Sequence, residues 1–116
     1  MDDYKLAKVA ANWWIKEMIK RCSDLYPHKM NDDAFSAELA RFEEVLFEEI
    51  SVCIQNRSYL SLTCCFRPCR ELTKLTQKAK LSLEYLPTRA SMNIMGNSVE
   101  VSIDGNDLHK LPLSAS

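Results

Sequence analysis

Glycine is nearly absent from this 116-residue chain, with two copies, and proline occurs only four times. A chain so poor in both is neither loop-rich nor a low-complexity disordered sequence. Long apolar runs are missing too: none approaches the roughly 20 residues that span a bilayer, so no membrane association is expected. The opening Met1-Asp2-Asp3 is acidic where a secretory leader carries basic residues, and no apolar leader core follows. Five cysteines, an odd number, then read as free thiols in a reducing cytoplasm.

Catalytic patterns are also lacking. There is no G-x-S-x-G elbow, H-E-x-x-H pair, phosphate-binding loop or dinucleotide fingerprint. The two histidines, His28 and His109, stand near no nucleophile in sequence. Cys65 and Cys69 have a loose metal-ligand spacing, but a structural zinc site needs a second pair. Cys64 and Cys65 are neighbours on an expected strand and point to opposite faces. No catalytic residue, metal or cofactor is therefore expected. Cys69, at a helix start beside Arg67 and Arg70, is the candidate reactive thiol. Cys22 and Cys53 fit helix seams as small apolar residues.

What is present is a core. Apolar residues make up 47% of the chain, and a domain of this size buries roughly two-thirds of its unfolded surface. One domain over residues 1–107 is expected, followed by a flexible tail at 108–116. Asp2 and Asp3 suit the start of a helix over Tyr4–Leu25, with Lys20 and Arg21 suiting its other end. Its apolar stripe is Tyr4, Ala11, Ile15, Met18, Cys22 and Leu25; Lys8, Asn12, Lys16 and Lys20 form the wet stripe. Trp13 and Trp14 point about 100° apart: either one belongs to the core and the other to its edge or to solvent, or a wide core that includes the C-terminal hairpin covers both. A second helix over Ala34–Ile54 has the seam Phe35, Leu39, Phe42, Leu46, Ile50 and Cys53.

The period then changes to two. Leu60, Leu62, Cys64 and Phe66 alternate with polar residues, which reads as a half-buried strand over Tyr59–Phe66. Pro68 opens a short helix, Cys69–Lys80, with Leu72, Leu75 and Ala79 inward. Leu81–Pro87 fits either a strand or an extended connector. Ala90–Met95 and Val99–Ile103 flank Gly96-Asn97-Ser98 as a β-hairpin, both Gly96 and Asn97 being suited to positive φ. The expectation is an α+β fold of order ααβαββ, with a helical hairpin packed on a small three-stranded antiparallel sheet.

Net charge is −1, but residues 31–55 carry net −6 and residues 56–80 net +5. Such blocks either pair within the molecule or dock charged partners. Three surfaces are candidates for binding a protein partner or nucleic acid. Glu43, Glu44, Glu48 and Glu49 crowd the polar side of the second helix. Arg67, Arg70, Lys74 and Lys78, in the basic segment 57–80, suit phosphates, with Tyr59 and Tyr85 available to stack on bases. An uncovered Trp13 is a natural hot spot, and with Phe47 it invites a homodimer.

The motifs Ala10-Ala11-Asn12-Trp13-Trp14, Ser91-Met92-Asn93-Ile94 and Val99-Glu100-Val101-Ser102 resemble those of small proteins carried by phages and mobile elements of Gram-positive and gut bacteria. Those proteins have a double tryptophan in the first helix and a closing T-M-x-I/V-x-V-S hairpin. The resemblance implies a non-enzymatic inhibitor of bacterial defence, anti-CRISPR-like, that occupies a nuclease or its guide complex in the cytoplasm of a bacterial host cell. Glu43, Glu44, Glu48 and Glu49 would then stand in for phosphate, with a nucleic-acid or nucleotide binder using segment 57–80 as the alternative.

Overall fold

The computed structural model describes residues 2–111. Helix α1 runs Asp2–Leu25 and α2 runs Asp33–Gln55, joined by a 3₁₀ turn at Pro27–Asn31. The side chain of Asp2, and with it half of the expected α1 cap, lies outside the described residues. At α2 the cap is Asp32, whose Oδ1 accepts the Ala34 N–H at 2.9 Å. All six seam residues expected on α2 are buried, and Ile54 joins them.

On α1 the middle of the expected stripe is buried, but Tyr4 and Leu25 are 56% and 51% exposed. A 24-residue helix is about 36 Å long. The seven-residue strands reach about 23 Å, so α1 is longer than the strands can cover. Trp14 is the core tryptophan, fully buried, and Trp13 is half-buried. The reason lies one and two turns back: Ala7, Ala10 and Ala11 share Trp14's face and leave room for its indole. Trp14 Nε1 is the one buried side-chain polar atom without a partner among the described residues. Lys20 and Arg21 do not serve the C-terminal end of α1. Arg21 instead donates to Thr88 Oγ1 at 2.7 Å and to the Glu84 carbonyl at 3.5 Å.

Among the described residues the sheet has five strands where three were expected, all antiparallel, in the order β2-β1-β3-β4-β5. The three long strands are β1 (Tyr59–Cys65), β3 (Arg89–Met95) and β4 (Ser98–Ile103). Two-residue strands finish the edges: β2 (Arg67–Pro68) and β5 (His109–Lys110). The tail expected from Leu108 is thus paired with β4 at His109 and Lys110, and residues 112–116 lie outside the described residues. Helix α3 (Arg70–Ala79) follows β2 and packs on α2, where Arg41 Nε donates to the Ala79 carbonyl at 3.2 Å.

Register separates the two faces of the sheet. Leu60, Ile94 and Val99 form one inner row, and Leu62, Met92 and Val101 the next. Thr63, Ser91 and Ser102 form an outer row. Between β3 and β4 the turn is Gly96-Asn97, and only Gly96 takes positive φ, at 60°. That is the demand of a type II′ turn, so the positive φ expected of Asn97 is not needed.

One further expectation gives way, one open alternative resolves and one helix boundary shifts by a residue. Phe66 is not inward: it is 76% exposed with φ at 66°, because the chain reverses there so that Arg67 can pair with Cys65. Positive φ at a bulky residue costs about 1–2 kcal/mol, and the turn is tied down by the Phe66 N–H, which donates to the Thr88 carbonyl at 2.7 Å. Leu81–Pro87 is no strand but a connector with a 3₁₀ turn at Leu83–Tyr85, and it buries Leu81, Tyr85 and Leu86. Cys69 lies one residue before α3, as its N-cap.

The two-faced sheet predicts a sharp contrast between neighbours. Met92→Ala should lose about 2–5 kcal/mol of unfolding free energy, and Ser91→Ala, on the outer face, should stay within about 0.5 kcal/mol of the parent. Asp32→Ala should lose about 1 kcal/mol with its cap. Urea titrations with unchanged m values would check all three.

Candidate functional site

Two tightly packed helices normally hide the residues between them, but α1 and α2 leave a groove open. Its larger hollow, about 260 Å³, is lined by Lys8, Val9, Asn12, Trp13, Lys16, Glu43 and Leu111. A second hollow of about 220 Å³ adjoins it through Lys8 and Glu43, and reaches Glu44 and Phe47. Asn12 Nδ2 donates to Glu43 Oε2 at 3.2 Å, fixing the carboxylate in the wall. Trp13 stands edge-on to Trp14 at 5.2 Å and 84°. Phe47 is held by Tyr4, edge-on at 5.2 Å, and by Lys8, whose Nζ lies 6.0 Å from the ring centre. Trp13 and Glu43, two of the residues singled out in the sequence, therefore share one site. Lys8, Asn12 and Lys16 fell in the wet stripe of α1, yet they line this groove. Leu111, set aside as tail, closes it.

The four glutamates do not make one face. At about 100° per residue, Glu44 and Glu48 stand about 40° apart on the outward ridge of α2. Glu43 and Glu49 fall on opposite flanks, Glu43 toward α1. Glu48 and Glu49 are exposed and lie outside both hollows.

The basic residues gather at the other edge of the sheet. Arg67 is on β2, and Arg70, Lys74 and Lys78 follow at four-residue steps along α3, all exposed. They do not pair with the acidic helix: the ion pair present among the described residues is Lys20–Glu17 at 3.4 Å. Tyr59 is 63% exposed, but Tyr85 is unavailable for stacking on bases. It is 4% exposed, with Phe35 edge-on at 5.0 Å and Tyr26 at 5.9 Å.

The cysteines separate by strand alternation, with Cys64 buried and Cys65 exposed. Among the described residues no three His, Cys, Asp or Glu side chains gather where a metal could sit. Cys69 is engaged at the edge of β1: its Sγ accepts the Thr63 N–H at 3.4 Å and faces the Ser61 carbonyl at 3.8 Å. Burial pushes the thiols of Cys22, Cys53 and Cys64 above their ordinary pKa. Iodoacetamide at neutral pH should therefore label Cys65 first in the folded protein, and Cys22, Cys53 and Cys64 only after unfolding. Peptide mapping by mass spectrometry would check this order, and early label on Cys64 would contradict it.

No described helix is long and apolar enough to cross a membrane. Comparison with family models, with curated proteins and with solved structures finds no match to this chain.

Proposed function

We propose that this chain acts as a protein-binding module, without catalysis, and that its docking site is the α1–α2 groove. The observation that carries the reading is the meeting of Trp13, half-buried and backed edge-on by Trp14, with Lys8 and Lys16, neither in an ion pair among the described residues, in one hollow. A rigid aromatic in a partly desolvated pocket has the character of a binding hot spot. Lys8 and Lys16 flank it, so the groove suits a partner segment that presents one large apolar side chain between carboxylates.

Glu43 is committed to Asn12, which leaves Glu44 and Glu48 as the acidic ridge available to a partner. The narrower proposal, an inhibitor of a defence nuclease, gives that ridge the place of phosphate in the nuclease channel. The groove and the ridge make different demands on the partner, and variants separate them.

A displayed library of peptides of about 12 residues, selected on the immobilised protein, tests the groove. The expected winners carry Leu, Phe or Trp between Asp and Glu. Trp13→Ala should weaken them tenfold or more, at about 2 kcal/mol for a hot spot, and Lys8→Glu with Lys16→Glu should abolish them. Glu48→Lys, on the ridge but outside both hollows, should leave them unchanged. Winners indifferent to Trp13 and the lysines would overturn the groove. So would a dimer, seen by sedimentation, that Trp13→Ala dissolves, since a second copy would then be the occupant.

A further inference from the structure

We propose that the β2 edge of the sheet binds single-stranded nucleic acid, with Phe66 as the stacking platform and Arg67, Arg70, Lys74, Lys78 and Arg89 as its phosphate contacts. This surface lies away from the groove. Leu111, next to β5, closes the groove at one edge of the sheet, whereas β2 is the other edge.

Phe66 is the most exposed large apolar residue described, at 76%. Its backbone is held in the left-handed region at φ 66°, where a bulky side chain is strained and asparagine or glycine is at ease. Strained residues of this kind cluster where a side chain is presented for use. The Phe66 N–H donates to the Thr88 carbonyl at 2.7 Å, so the ring projects from a fixed turn and not from a loose loop. A fixed ring loses little freedom on binding, and every base has a face to lay on it.

Charge surrounds this ring on two sides. In the strand register, Arg67 and Arg89 both stand opposite Cys65, the residue before Phe66. The Arg89 guanidinium is seated over Gly105: a Cβ there would meet its Nη2 at 3.0 Å. Gly105 also has φ at 80°, so its backbone reserves that position for glycine and leaves the guanidinium room to lie there. Arg70, Lys74 and Lys78 continue the track along one ridge of α3. None of these five cations is in an ion pair or a side-chain hydrogen bond among the described residues. Glu71 is the single acid on α3. A fixed aromatic next in the chain to a run of uncommitted cations offers a face for a base together with contacts for phosphates, where an acidic protein would need only the charge.

Anisotropy with labelled DNA and RNA strands of about 12 nucleotides, single and duplex, is the test. The full chain should bind both single strands more tightly than the duplex, with affinity falling as salt rises. Phe66→Asn should keep or raise the melting temperature, because it relieves the backbone, yet weaken binding about tenfold. Phe66→Tyr should restore binding. Arg70→Glu with Lys74→Glu should abolish it, and Trp13→Ala should leave it intact. No salt-dependent binding by the parent protein would overturn the proposal. So would equal binding by Phe66→Asn, or polyglutamate competing as well as the oligonucleotide, since the surface would then read charge alone.

Discussion

Everything in this fold depends on hiding one face of an antiparallel sheet beneath three helices. Strand side chains alternate, so a slip of one residue would move the whole apolar set into water. Leu62, Met92 and Val101 hold that register from one side, and Trp14, Phe42 and Leu46 fill the space above them. The same alternation decides the chemistry of the other face. It sends Cys64 in and Cys65 out, and sets hydroxyls of Thr63, Ser91 and Ser102 in a row facing solvent. The core and the outer surface are two readings of a single constraint.

Elements with a sustained period were legible in the sequence. The α2 seam, the inward residues of α3 and the alternating arms of the hairpin needed only spacing to be found. Chain reversals were not. Alternation through Phe66 looks the same whether the strand continues or turns, and Pro68 marks the end of the strand without showing that the chain folds back on it. A two-residue edge strand such as β5 is too short to carry a period at all. The choice between Trp13 and Trp14 was in fact readable, because Ala7, Ala10 and Ala11 mark the side on which a large ring fits.

The candidate site was less legible for a different reason. A stripe of Lys8, Asn12 and Lys16 reads as a solvated helix face, and it is one until a neighbouring helix stops short of it. A groove is a property of two elements, and periodicity describes one at a time. The glutamates show the converse. Counted along α2 they look like a cluster, but helical geometry sends Glu43 and Glu49 to opposite flanks of the Glu44–Glu48 ridge. Trp14 Nε1 sharpens the point at atomic scale: the alanines that admit the indole bring no acceptor with them.

The two-residue strands at the sheet's edges carry a consequence of their own. An open strand edge invites backbone pairing with any extended chain, which is the usual route to fibrils and to generic strand addition. Here β2, the thiol of Cys69 and β5 break up the open margins of β1 and β4 into short stretches. Visitors must therefore be recognised by side chains and not by main chain. Recognition of that kind can be redirected by single substitutions on the surface while the scaffold stays as it is, and the molecule can meet new partners without learning a new fold.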